Sequence, residues 1–159
     1  MTAIIERADV KDAAEILALQ KLAYQSEAAI YDDYTIPPLR QTVEEMSADL
    51  QNQVVLKVAI EGRIVGSVRA HERDGTCYIG RLIVHPDSQN QGLGTRLMHA
   101  IEAAFSSAER FELFTGNKSA RNLHLYRKLG YAAFREQQLS DLVSLVYLEK
   151  HAERSQDVV

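Results

Sequence analysis

The sequence predicts a mixed α/β domain, with one central sheet of about seven strands flanked by about four helices. Three observations carry this reading. Two tight dipeptide turns fold residues 53–84 into an antiparallel meander, residues 76–115 form a strand–helix–strand unit, and two strand-like runs close the chain as a hairpin. With 159 residues there is room for one domain, read as 1–150, with a frayed tail at 151–159.

Each element has its own signal. Residues 3–8, AIIERA, alternate as a first strand. Asp9 caps a helix running to about residue 26, with Ile16, Leu19 and Ala23 on one face. Residues 27–41 contain Pro37-Pro38 and no clean period, so they read as a long loop, a kind of segment that is often functional. Thr42 and Glu45 form a capping box for a helix with the stripe Val43, Met46 and Leu50. Strands follow at 53–60, 64–72 and 76–84, turned by Glu61-Gly62 and Asp74-Gly75. The next helix offers Leu93, Leu97, Met98, Ile101, Ala104 and Phe105 to the core. RFELFT, residues 110–115, returns as a strand, and a crossover of this length implies parallel pairing. SARNLHLYRKLGY is a helix stopped by Gly130. Residues 132–138 and 142–150 make the final hairpin. Its Leu142, Val143, Leu145, Val146 and Leu148 suit either the monomer core or a homodimer contact.

Composition narrows the function classes. The chain is 46% hydrophobic and 25% charged, as in a soluble globular protein. Its net charge of −4 argues against a general nucleic-acid binder. No apolar run approaches the ~20 residues of a membrane span, and the N-terminus lacks a secretory pattern. The single cysteine, Cys77, reads as a buried strand residue in a reducing cytoplasm. Residues 1–80 hold 8 Lys/Arg against 13 Asp/Glu, whereas residues 81–159 hold 10 against 9. The second half is therefore the one suited to an anion.

The stretch QNQGLG places Gly92 and Gly94 where a strand passes into a helix. Without Cβ atoms, successive amides can face one concavity, and a helix N-terminus adds about half a positive charge. That suits a phosphate or pyrophosphate. A P-loop needs Gly-Lys-Ser/Thr where this chain has Gly94-Thr95-Arg96, and a dinucleotide fingerprint needs a third small residue near Leu97. Both motifs are missing. One strand and one helix later, Asn122 and Tyr126 lie four residues apart on one helical face, and Tyr126 offers a phenol proton to a leaving group.

Gln89-Asn90-Gln91-Gly92-Leu93-Gly94, with LIVHP before it and LYRKLGY after it, resembles the GNAT superfamily of acetyl-CoA-dependent N-acetyltransferases. The similarity covers the element order of nearly the whole chain and is sharpest from Tyr78 to Tyr131. It implies that the amides of Gln89, Asn90, Gln91, Gly92, Leu93, Gly94 and Thr95 hold the coenzyme A pyrophosphate. It implies further that the backbone of Leu82, Ile83 and Val84 pairs with the pantetheine arm, and that Tyr126 faces the sulfur as general acid. The expected reaction is acetyl transfer to a primary amine by direct attack on the thioester, with acetyl-CoA as co-substrate and no metal.

Two departures qualify the carry-over. The asparagine that many members place seven residues before the tyrosine is Ser119 here, which leaves Asn117 and Asn122 as candidates to serve the pantetheine or product amide. The strand before the glycines carries no Asp or Glu, and Tyr78 stands where some members have a general base. Candidates for that base are Glu27, Asp32, Asp33, His71, Glu72 and His85. For the acceptor, Glu27, Tyr31, Asp32, Asp33 and Tyr34 offer an acidic and aromatic set suited to a cationic small-molecule or peptide amine. The alternatives to an enzyme are an acyl-CoA-binding sensor without turnover and a nucleotide-phosphate binder.

Overall fold

The computed structural model describes residues 2–152, so the expectation of a frayed tail falls almost wholly outside the described residues. His151, placed in that tail by the sequence reading, is the last residue of a strand. Among the described residues no helix is long and apolar enough to cross a membrane.

Strand β1 (Ala3–Arg7) is followed by a one-turn 3-10 helix, Val10–Asp12, which Asp9 caps through its carboxylate. Helix α1 (Ala13–Ala23) then starts separately, and α2 (Gln25–Tyr31) follows after Tyr24. The segment expected to be a loop is therefore largely ordered helix: α2 covers residues 25–31, and a single turn, α3 (Pro37–Arg40), begins on the two prolines. Proline fixes φ at a helical value and lacks an N–H that a first turn would leave unpaired, so Pro37-Pro38 opens a turn as readily as it breaks one. The capping box at Thr42 and Glu45 starts α4 (Val43–Asn52), which buries Met46 and Leu50 and leaves Val43 exposed.

The meander is β2 (Val54–Ile60), β3 (Arg63–Arg73) and β4 (Thr76–Val84). Both of its turns have positive φ at the two central residues, Glu61-Gly62 and Asp74-Gly75, the primed geometry that matches strand twist. Helix α5 (Leu93–Ala104), β5 (Arg110–Gly116), α6 (Ala120–Lys128), β6 (Ala132–Gln138) and β7 (Ser144–His151) complete the chain. The seven strands form one sheet in the order β1-β2-β3-β4-β5-β7-β6, with only the β4–β5 pair parallel among those described.

Two cores hold the helices to opposite faces. On one, Leu93, Leu97, Met98 and Ile101 of α5 pack with Tyr126 and Tyr131 over the sheet. Ala104 points away from that core, and Phe105 is half-buried. On the other, Ile16 and Leu19 of α1 meet Met46 and Leu50 of α4 over Val55, Ile64 and Ile83. Cys77 is fully buried, and the apolar surroundings push its thiol up to about 12, so it is an inert core residue.

The feature that positions a site is where β4 and β5 separate. Their parallel pairing covers only Thr76 with Arg110, Cys77 with Phe111, and Tyr78 with Glu112. On the other edge of β4, Ser67 opposes Ile83 and Arg69 opposes Gly80, so one residue of β3 faces two of β4. Arg81 sits in this bulge with φ +51°. A bulge bends its strand and increases the local twist, and from Ile79 onward β4 has no paired strand on its β5 side among the described residues.

Candidate active site

The polar turn between β4 and α5 begins with a one-turn 3-10 helix, Pro86–Ser88, which His85 caps by accepting the Asp87 N–H on Nδ1 at 3.0 Å. Asn90 and Gly92 then take positive φ, +63° and +80°. Among the described residues, the backbone N–H groups of residues 89–95 have no hydrogen-bond partner; the first helical bond of α5 runs from Arg96 to Gly92. A Cβ on Gly92 would meet nothing within 4 Å, and one on Gly94 would reach only Leu125 at 3.5 Å and Leu82 at 4.0 Å. The turn is thus a cradle of free donors, open on one side.

It opens into a cavity of about 470 Å³ that runs from the glycines along Leu82, Ile83 and Val84 to Tyr24 and Glu27. Arg121 and Lys128 line it, and among the described residues Glu27 is the only carboxylate on its wall. Arg121 bonds the side chains of Gln89 and Asn90, the latter at 3.0 Å, so a cation is anchored directly on the loop. Unpaired amides, two cations and a helix N-terminus fit a pyrophosphate.

Tyr126 itself is not on this wall: it is 7% exposed, one helical turn after the lining residue Asn122, and its ring meets Tyr131 edge-on at 6.1 Å. Its hydroxyl has no partner among the described residues, yet no unpartnered side-chain oxygen there is fully buried. The hydroxyl therefore keeps contact with open space while the ring is enclosed. Burial pushes this phenol above its ordinary range, and Tyr24 and Glu27 add to the effect. Glu27 accepts from Ser119 Oγ at 2.5 Å and from Asn122 Nδ2 at 3.3 Å, and Asn122 also donates to Thr115 Oγ1 at 3.2 Å.

The structure brings Glu27, Leu82, Ile83, Val84, Gln89, Asn90, Gly92, Leu93, Gly94, Thr95 and Asn122 to one cavity. Gln91 lies in the turn but not on that wall. Asn117 instead accepts from the Ser144 N–H at 3.3 Å, tying β5 to β7. Tyr31 is buried, with its hydroxyl receiving the Lys118 N–H at 2.8 Å and meeting Ser119 Oγ at 2.8 Å, so it is a prop for α2. Asp33 bonds Thr35, Asp32 and Tyr34 are exposed away from the cavity, and Tyr78 stacks on His71 at 5.4 Å. His71 and Glu72 lie on the exposed end of β3. Sequence reasoning missed Tyr24, Arg121 and Lys128. The last two had a signal, as cations on the helix that carries Tyr126; Tyr24 had none, because the break between α1 and α2 is silent in the sequence.

The prop has a measurable consequence. A Cβ on Gly116 would lie 2.0 Å from the Tyr31 hydroxyl oxygen. Gly116→Ala is therefore expected to displace Tyr31, break both of its hydrogen bonds and cost roughly 2–4 kcal/mol in chemical denaturation. A loss under 1 kcal/mol would mean that α2 is not anchored through Tyr31.

The sequence model of the acetyltransferase (GNAT) family matches residues 14–131, which include the glycine turn, the cavity wall and Tyr126. The chain belongs to the GNAT family. Neighbours in three dimensions cover almost all of it. The ribosomal-protein-S18-alanine N-acetyltransferase from Escherichia coli superposes with a TM-score of 0.80 at 12% identity, over 99% of each chain. The PaiA N-acetyltransferase from Thermoplasma acidophilum, solved in complex with coenzyme A, gives 0.79 at 12% identity, over 95% of this chain and 99% of that one. At these identities the likeness is one of fold. A curated relative, UPF0157 protein YqkA of Bacillus subtilis (strain 168), is 27% identical over 131 residues, 82% of this chain. The chain spans 38% of the length of that relative.

Within the GNAT frame, Ser119 has a definite place. It is almost fully buried and links Tyr31 of α2 to Glu27, so the position that the resemblance reserved for an asparagine here holds α2 against the start of α6.

Proposed function

We propose that this protein transfers an acetyl group from acetyl-CoA to a primary amine by direct attack of the amine on the thioester. The observation that carries the reading is one cavity with unpartnered amides and Arg121 at one end and, at the other, Glu27, held by Asn122 one helical turn before Tyr126. Acetyl-CoA, when bound, supplies an acyl carbon activated as a thioester.

The residues divide the remaining work. The amides of residues 89–95, with Arg121 and Lys128, hold the pyrophosphate, and the unpaired edge of β4 at Leu82, Ile83 and Val84 offers strand-like hydrogen bonds to the pantetheine arm. An amine with a pKa near ~10.4 is neutral in only about one molecule in a few thousand at pH 7, so a base must take its proton. Glu27 is the carboxylate on the wall, and its Oε atoms accept that proton directly or through water. The C–N bond forms, the C–S bond breaks, the Tyr126 hydroxyl gives its proton to the departing sulfur, and the second proton lost by the acylated nitrogen returns to the Tyr126 oxygen through water. Asn122 steadies Glu27 from α6.

The test is release of free thiol from acetyl-CoA across a panel of amines, with calorimetry of CoA binding alongside. Amine-dependent release is expected. Tight CoA binding with no turnover on any amine would replace the enzyme by a sensor, and tighter binding of ATP than of CoA would overturn the coenzyme assignment.

A further inference from the structure

On the α1/α4 face of the sheet, one residue before Leu82, stands a cationic group that the transfer chemistry does not use. Arg81 of the bulge makes one hydrogen bond among the described residues, from Nη1 to Gln41 Oε1 at 2.9 Å. The nearby carboxylate, Asp49, is taken: its Oδ2 accepts from Arg69 and from the Gln41 amide. Gln41 is itself fixed by Gln20 Nε2 at 2.9 Å. Two guanidinium groups against one carboxylate leave a surplus positive charge in a partly buried place, which is unfavourable unless a counter-charge arrives. Since no unpartnered side-chain nitrogen is fully buried there, Arg81 Nε and Nη2 each keep some exposure. The group is held at positive φ, a backbone state that non-glycine residues rarely keep without a reason.

The cluster adjoins the acyl end of the cavity. Leu82, which follows Arg81 in β4, and Tyr24, whose N–H bonds the carbonyl of Gln20 at 3.0 Å, both line the cavity, while Arg81 itself lies off its wall. A guanidinium edge formed by Nε and one Nη matches a carboxylate with two parallel hydrogen bonds. We propose that the acceptor is a primary amine that also carries a carboxylate, an amino acid or a short amino-carboxylic acid, with the carboxylate on Arg81 and the amine at Glu27. This deepens, and rests on, the transfer reading above. A polyamine or an amino sugar would instead bring further positive charge beside Arg81, a like-charge contact that disfavours it.

The experiment compares matched triples, each amino acid with its primary amide and its decarboxylated amine, in thiol release and in calorimetric binding to the CoA-loaded protein. For the preferred triple, the carboxylate member should exceed the other two in kcat/KM by roughly 10- to 100-fold. Arg81→Gln should remove that advantage through KM, leaving the amide's rate and CoA affinity unchanged, and Arg81→Lys should retain part of it. Equal use of carboxylate and amide, or a loss on Arg81→Gln that falls equally on both, would overturn the carboxylate site while leaving acetyl transfer standing. Arg81-dependent binding of carboxylates with no thiol release would do the reverse. No binding and no turnover throughout would overturn the proposal.

Discussion

Replacing Tyr126 by phenylalanine is expected to lower kcat by roughly 100-fold with acetyl-CoA and amine both saturating, the lower end of what a positioned general acid supplies. The hydroxyl makes no hydrogen bond among the described residues, so its loss leaves no orphaned partner. The ring keeps its core packing and its edge contact with Tyr131. Thermal midpoint and CoA affinity should therefore stay close to wild type, which separates a chemical role from a structural one. The pH profile adds a second readout. A phenol is an acid only while protonated, and burial raises the point at which Tyr126 ionises above the ordinary tyrosine range. The acid form is fully present below that point, so Tyr126 should impose no loss of kcat as pH rises from 7 to about 9. Wild-type turnover in the phenylalanine variant would sink the assignment.

Gly94→Leu should separate folding from binding in the opposite sense. Gly94 lies in the first turn of α5 without a positive φ, where glycine costs about 0.5–1 kcal/mol relative to alanine. A Cβ there meets Leu125 and Leu82 at ordinary contact distances, and both of those residues line the cavity. A leucine thus fits the fold and points its extra atoms at the space beside the free amides. The expected result is an unchanged or higher melting temperature together with a CoA affinity lowered about tenfold or more, roughly 1.4 kcal/mol, read by calorimetry. Unchanged affinity would mean that the two glycines serve only the turn.

The strands were legible because their signals are local. Glu61-Gly62 and Asp74-Gly75 announce primed turns in two residues each, and β4 and β6 fall at 76–84 and 132–138 as the pattern predicts. Gly92, Gly94 and Tyr126 were legible for a similar reason, since each is unusual for its place. The α2 region was not. Its helix carries no side-chain cap and follows α1 after the single residue Tyr24, so nothing local marks it. Its position depends on Tyr31 reaching residues 87 and 88 positions away, a contact that only the folded chain creates. Arg81 was hidden in another way. As a sequence feature it is one arginine in a strand; its meaning comes from the bulge that turns it toward α4 and from Asp49 being already engaged.

Three residue pairs join β4 to β5, so the sheet is two panels on a short seam, one of β1 to β4 and one of β5, β7 and β6. Past Tyr78 no strand pairing joins the panels among the described residues. A molecule lying along Leu82, Ile83 and Val84 would complete the missing part of the seam with its own hydrogen bonds. Occupying the site and making the sheet mechanically continuous would then be a single event, and the stiffness of the whole domain would report whether the cleft is filled.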